Sequence, residues 1–190
     1  MESFMKNILV TGGLGFIGSH FIELLDKNCK NCKITIIDSY AYCVSKKTED
    51  LLWDMYKNSS NELDIIYESI SDFKLDKEYD YIVNFAAESH VDNSIDDGDV
   101  FIDSNYISVY DLLKQLPDST RFLQVGTDEV YGSLQFNSDP SEEYDLLQPS
   151  SIYSATKAGA DLLALSFHKT YKKDIIVTRC TNNFGPRQYP

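Results

Sequence analysis

Long apolar runs are missing from the sequence. No stretch approaches the roughly 20 consecutive apolar residues that span a bilayer, and the opening MESFMKNILVTGG has no extended apolar segment of the kind a secretory leader needs. Basic residues are scarce as well: 17 Lys and Arg stand against 30 Asp and Glu, a formal net charge of -13. No Lys/Arg cluster interrupts that excess, which argues against nucleic acid or an anionic membrane as partner and leaves any anionic ligand to local groups. Cysteines number four, at positions 29, 32, 43 and 180. The CKNC pair has zinc-knuckle spacing, yet no second Cys or His pair completes four ligands, so reduced thiols are expected and no metal. A cytoplasmic location follows as the default.

What is present suits one domain with a sizeable core: 190 residues, 43% of them hydrophobic and 25% charged. Short runs rich in branched apolar residues recur at 7–12, 33–38, 64–69, 80–85, 121–126 and 174–179. They read as strands buried on both faces. Between several of them, apolar residues at three and four spacing predict helices over 17–25, 100–116 and 151–171. Alternation of this kind implies an α/β fold, a doubly wound parallel sheet (the Rossmann fold) with helices on both faces. Polar stretches near 54–62 and 135–150 read as surface loops.

Three segments carry chemistry. In TGGLGFIGSH, Gly12, Gly15 and Gly18 stand three apart where the first strand runs into a helix. Glycine there permits a tight turn and close approach of backbone to a pyrophosphate, while the helix start offers free N–H groups. Gly13 also completes a G-x-G-x-x-G reading, so spacing alone leaves the division of labour open. Asp38 follows Gly18 by 20 residues, at the end of the second strand. An acid at that point accepts hydrogen bonds from ribose hydroxyls and repels a 2'-phosphate, which favours NAD over NADP. YSATK puts Tyr153 and Lys157 on one helix face; an ammonium beside the phenol, and a cationic nicotinamide, would favour phenolate. TDE sets Thr127, Asp128 and Glu129 in a row where a strand ends. The plain alternative for TDE is a strand-end turn with a capping Asp and a solvated Glu.

Together these segments resemble the extended short-chain dehydrogenase/reductase family, and within it the nucleotide-sugar 4,6-dehydratases acting on dTDP-glucose or UDP-glucose. The motifs TGGLGFIGSH, NFAAESHVDNSI (84–95), SNYISVYDLL (104–113), TDEVYG (127–132), YSATK and RCTNNFGPRQYP (179–190) occur in family order. The resemblance implies that Gly12, Gly15, Phe16, Ile17, Gly18, Asp38, Ser69, Ile70, Ala86 and Ala87 hold NAD, with Lys157 on the nicotinamide ribose. It implies that Thr127 and Tyr153 meet the sugar's 4-hydroxyl, with tyrosinate as base, and that hydride passes from C4 to NAD and later to C6. Glu129 then removes the C5 proton made acidic by the new ketone, and Asp128 protonates the departing C6 hydroxyl. Repulsion between the two acids would raise the pKa of one of them. Glu88, His90 and Asn182 match positions near the sugar or its phosphates, and Asn105 a helix residue that organises the site; His20 and His168 fall on no catalytic position.

Two departures stand out. Ser69-Ile70 replaces the family's frequent Asp-Ile pair near adenine, and Asn93 stands where many dTDP-sugar members have Arg. The family also continues through a C-terminal substrate domain. The resemblance therefore implies a truncated chain, with 1–180 as the NAD-binding domain and 181–190 as the start of the substrate-binding region, a homodimer through the helices at 100–116 and 151–171, and a product leading to rhamnose or another deoxysugar. Two other readings stay open: a 4-epimerase or decarboxylase of the same family, which needs no acid pair, and an NAD-binding sensor without catalysis.

Overall fold

The computed structural model describes residues 5–90 and 97–189; Asn93 and the rest of 91–96 lie outside them. Six parallel strands form the sheet: β1 (Lys6–Thr11), β2 (Cys32–Asp38), β3 (Glu62–Tyr67), β4 (Tyr81–Asn84), β5 (Arg121–Thr127) and β6 (Asp174–Cys180). Their order is β3-β2-β1-β4-β5-β6. The chain therefore winds outward from β1 in one direction and returns to start again at β4. That reversal leaves a crevice beyond the carboxyl ends of β1 and β4, the place where this class of sheet binds ligands.

Alternation along the strands builds two cores. Ile8 and Val10 point to the face covered by α1 (Phe16–Asn28) and α2 (Lys46–Tyr56), where they join Leu14, Ile22, Ile34, Ile36 and Leu52. Leu9 points the other way, into a core with Ile82, Phe122, Val109, Leu112, Ala160 and Ala164. Each fully buried branched side chain contributes roughly 1.5–3 kcal/mol through the apolar surface it withdraws from water. The expectation of strands buried on both faces holds for the centre of the sheet but not for its edges. β3 and β6 each have one flank without a neighbouring strand among the described residues, and both alternate between covered and exposed positions.

α2 is absent from the sequence reading, which saw only a polar stretch over 54–62. Its buried positions, Thr48, Glu49, Leu52 and Tyr56, follow helical spacing, but two are polar and the segment is rich in charge. The predicted helix over 100–116 is observed as one continuous run in three parts: α3 (Gly98–Ile102), a π-helical turn (Asp103–Ile107) and α4 (Ser108–Gln115). Such widened turns disturb the regular ladder and often sit at functional sites. α5 (Ile152–Tyr171) starts at a capping box between Ser151 and Ser154 and ends at Lys172 in the left-handed region. The stretch 135–150 is irregular, as expected, and is tied to the sheet end where Gln148 N donates to the Val130 carbonyl at 2.9 Å.

Among the described residues no helix is long and apolar enough to cross a membrane, and no group of three or more His, Cys, Asp or Glu is disposed to hold a metal ion. Cys29 and Cys32 are free thiols. His20 holds the C-terminal segment against α1, with Nε2 at 2.9 Å from the Pro186 carbonyl, and His168 meets the Lys173 carbonyl just past the end of α5.

Candidate active site

A cleft of about 470 Å³ opens at the crevice between β1 and β4. Its floor is bare backbone. A Cβ placed on Gly12, which sits at φ 66, would stand 2.7 Å from the Ala86 nitrogen, and one on Gly18 would stand 2.9 Å from Gly13 Cα. Gly12 and Gly18 are therefore required by close packing, which resolves the ambiguity of the sequence: Gly12, Gly15 and Gly18 border the cleft, while a Cβ on Gly13 would meet Ile36 of the core at 2.8 Å. The first N–H groups of α1 have no partner inside the helix, as at any helix start, and this start lies on the cleft wall.

Asp38 is buried at the end of β2. Leu14 N donates to its Oδ2 at 3.0 Å and Tyr40 N to its Oδ1 at 2.9 Å. Burial pushes the Asp38 carboxyl above its ordinary value, and the two backbone N–H groups oppose that shift. Each carboxylate oxygen keeps a second lone pair. Asp38 thus ties the glycine turn to β2 and still has acceptor capacity facing the cleft.

On the far side of the switch point buried polar side chains lie behind the cleft wall. Thr11 and Asn84 share a hydrogen bond between their side chains, Asn84 Nδ2 donates to Gln124 Oε1 at 2.9 Å, and Ala86 N donates to Thr11 Oγ1 at 3.3 Å. This ladder fixes the loop carrying Ala86 and Ala87. Asn105, buried in the π-helical turn, accepts from Glu88 N at 2.8 Å and donates to the Glu88 carbonyl at 2.9 Å and to Thr156 Oγ1 at 3.2 Å. One amide side chain therefore clamps the backbone at Glu88 to α5.

β5 ends at Thr127, and Asp128 and Glu129 open the 3-10 turn that follows (Asp128–Tyr131). The Thr127 hydroxyl accepts from Glu129 N at 3.3 Å. Glu129, Thr127, Tyr153 and Lys157 all border the cleft, whereas Asp128 does not. Burial, then the neighbouring Asp128, raises the pKa of Glu129. Tyr153 is pushed up to about 12, first by burial and then by Glu129, while the Thr127 hydroxyl works in the opposite direction. Lys157 is buried, donates to the Val125 carbonyl at 2.8 Å, and has its pKa lowered by desolvation. Burial and the Glu129 carboxylate thus act against ionisation of the Tyr153 phenol, and the Lys157 ammonium is turned to the Val125 carbonyl.

The remaining predicted residues, Phe16, Ile17, Ser69, Ile70, Ala87, Glu88, His90 and Asn182, border the same cleft. Sequence reasoning missed Cys43, Cys180 and Tyr189, which also line it. Tyr189 stacks edge-on against Tyr42 at 5.4 Å and lies near His90 at 6.3 Å, closing one end with three rings.

Comparison with known proteins agrees with this geometry. Residues 9–190 match the family model described as GDP-mannose 4,6 dehydratase. The chain belongs to the nucleotide-sugar dehydratase/epimerase family of extended short-chain dehydrogenase/reductases. It is 42% identical over 186 residues to the low-salt glycan biosynthesis protein Agl12 of Haloferax volcanii, covering 97% of this chain and 59% of that one. The dTDP-glucose 4,6-dehydratase DesIV of Streptomyces venezuelae, solved with NAD bound, superposes with a TM-score of 0.85 at 38% identity, over 96% of this chain and 57% of that one. The UDP-glucuronic acid 4-epimerase of Bacillus cereus, in complex with UDP-glucuronic acid and NAD, superposes with a TM-score of 0.84 at 29% identity, over 97% of this chain and 59% of that one. The shape of this family member does not separate the two activities; its residues must. The chain spans less than two thirds of the length of these relatives.

The residues present fit NAD. Gly12, Gly15 and Gly18 leave backbone without side chains on the cleft wall, Asp38 retains acceptors, and no basic side chain beside Asp38 offers a 2'-phosphate a partner among the residues lining that end of the cleft.

Proposed function

We propose that this chain forms the NAD-binding and catalytic part of a nucleotide-sugar 4,6-dehydratase acting on dTDP-glucose or UDP-glucose. The observation that carries the reading is the adjacent pair Asp128 and Glu129 in a turn fixed by Thr127, with Glu129 on the same cleft wall as Tyr153 and Lys157. Gly12, Gly15, Gly18 and Asp38 would hold the pyrophosphate and adenosine end of the cofactor, and Lys157 its nicotinamide ribose. Bound NAD would supply the oxidant for C4, return the same reducing equivalents at C6, and bring a positive charge that favours phenolate.

The chain's own residues move the protons. Tyr153, aided by the Thr127 hydroxyl, would take the proton of the 4-hydroxyl; burial keeps its pKa high and the Thr127 hydroxyl works to lower it. A ketone at C4 acidifies the C5 hydrogen, and Glu129 takes it. Desolvation makes Glu129 a stronger base than an ordinary carboxylate, which suits this step. Asp128 gives a proton to the C6 hydroxyl, which leaves as water. The product is a 4-keto-6-deoxy sugar of the kind that leads to rhamnose or another deoxysugar.

A second reading is a 4-epimerase of the same family. One observation favours it: Asp128 does not itself line the cleft, although its Oδ1 lies 3.5 Å from the Thr127 hydroxyl that does. NMR of the product from full-length protein, offered UDP-glucose and dTDP-glucose separately, decides between them. A methyl signal at C6 with a C4 ketone supports dehydration; a sugar of unchanged composition inverted at C4 supports epimerisation.

We also propose a homodimer. Val100, Ile107, Leu162 and Leu165 leave apolar surface exposed on the helices α3 to α5, and twofold association is the commonest way to cover such a face. Light scattering tests it, with twice the monomer mass expected.

A further inference from the structure

Behind the cleft, three residues link the element that carries Tyr153 and Lys157 to the turn that carries the acid pair. Asp161 lies one helical turn beyond Lys157 on α5 and has no exposed surface. Its Oδ2 accepts from Arg179 Nε at 2.8 Å. Arg179 stands on β6 directly opposite Gly126 of β5. Its Nη1 donates to the Tyr131 hydroxyl at 2.7 Å and to the Glu143 carbonyl at 3.3 Å, and the guanidinium lies 5.1 Å from the centre of the Tyr131 ring. Tyr131 is the last residue of the 3-10 turn that begins with Asp128 and Glu129.

Each feature is explained poorly by packing alone. A buried ion pair gives little net stability, since desolvation offsets its Coulomb attraction, and an apolar pair would fill the same space. One carboxylate oxygen, Asp161 Oδ1, is buried without a hydrogen-bond partner among the described residues. Gly126 makes room for this carboxylate: a Cβ there would sit 2.8 Å from Oδ1 and 2.8 Å from the Thr178 carbonyl. What an apolar pair does not provide is fixed direction. The planar guanidinium binds α5 through Nε and the turn through Nη1, two bonds whose relative angle is set by covalent geometry.

We propose that Asp161, Arg179 and Tyr131 form a positioning relay that holds the Asp128–Glu129 turn at a set distance from Tyr153 and Lys157, so that both pairs address one sugar. The second half of this statement rests on the dehydratase reading; the first half does not. The relay acts on position only, so its members touch neither sugar nor cofactor.

Hydrogen exchange on the chain itself tests the relay without any catalysis. Tyr131→Phe removes a single hydroxyl and keeps the ring. We expect exchange of the Glu129 and Gly132 amides to rise about tenfold, with the amides of 155–165 in α5 unchanged. Turn amides that exchange at parent rates overturn the relay, and so does equal loosening of α5, which would assign the triad to general stability. Arg179→Lys, which keeps the charge and loses the fork, should give the same pattern and guards against an uninformative single variant. In the full-length protein, Tyr131→Phe should slow C5 exchange and water loss about tenfold while C4 oxidation stays within about twofold. If the parent makes no 4-keto-6-deoxy product, the dehydratase reading fails and the amide data still judge the relay. If the parent is active and both half-reactions fall equally in Tyr131→Phe, the relay fails alone.

Discussion

The two halves of the sheet bury different chemistry. On the β3-β2-β1 side, branched apolar side chains fill the space under α1 and α2, the cleft is lined by bare glycine backbone, and the buried carboxylate of Asp38 has a backbone N–H on each oxygen. On the β4-β5-β6 side, Asn84, Gln124, Lys157 and Asp161 are buried, and Gln124 Nε2 and Asp161 Oδ1 have no hydrogen-bond partner among the described residues. A buried polar atom left unpaired costs roughly 1–3 kcal/mol. Holding a cofactor needs only shape and free N–H groups, which backbone provides at small cost. Moving protons needs titratable groups removed from water at one place, and on the second half burial raises Glu129 and Tyr153 and lowers Lys157 on a single cleft wall.

Tyr153→Phe in the full-length protein should lower C4 oxidation by about 10²–10⁴-fold, the usual worth of a positioned acid–base group, with no rise in reduced-cofactor absorbance at 340 nm on adding substrate. NAD affinity should stay near the parent value, because the ring remains. An equal loss of NAD binding would mean that the two halves are not separable.

Gly18→Ala probes the other half. The added methyl must displace the Gly12–Gly13 backbone, so denaturant melts should show a loss of about 1–3 kcal/mol, and calorimetry at least a tenfold weaker NAD affinity, about 1.4 kcal/mol. Parent-like affinity would remove the cradle from the account. Smaller again is Asp38→Asn. The parent should bind NAD at least about tenfold tighter than NADP, and the variant should bring the two within about threefold, since the repelling charge is gone.

The smallest effect concerns stability and pH. Burial and Asp128 raise the folded-state pKa of Glu129 above its unfolded value. The sign follows: its favourable contribution is present below the unfolded pKa and is lost as pH rises through the folded one, because the native state disfavours the charge. Glu129→Gln should therefore be neutral to slightly stabilising at pH 7, by about 0.5 kcal/mol or less, and the difference should vanish near pH 3, where the parent is protonated too. A variant less stable than the parent at pH 7 contradicts the desolvated carboxylate.

Much of this was legible from sequence where one physical rule dominated. All six strands announced themselves because parallel strands need continuous branched apolar runs, and the cradle because only glycine fits a turn closed against Ala86. α2 was not legible: Thr48 and Glu49 face inward, so its buried stripe does not look apolar. The Asp161–Arg179–Tyr131 connection was hidden for another reason. Its members are far apart in sequence and meet only through the β5–β6 register, which no local pattern encodes. Helix spacing puts Lys157 on the face of Tyr153 but does not encode the direction of its ammonium, which the Val125 carbonyl takes.

The division of labour within the acid pair is the centre of the account, and solvent deuterium at C5 reads it directly in the full-length protein. Glu129→Gln should oxidise C4, hold the reduced cofactor, and incorporate no deuterium at C5; Asp128→Asn should incorporate deuterium at C5 while releasing water about 10²–10⁴-fold more slowly than the parent. Parent rates of exchange and water loss in both variants would make Asp128 and Glu129 an ordinary strand-end turn.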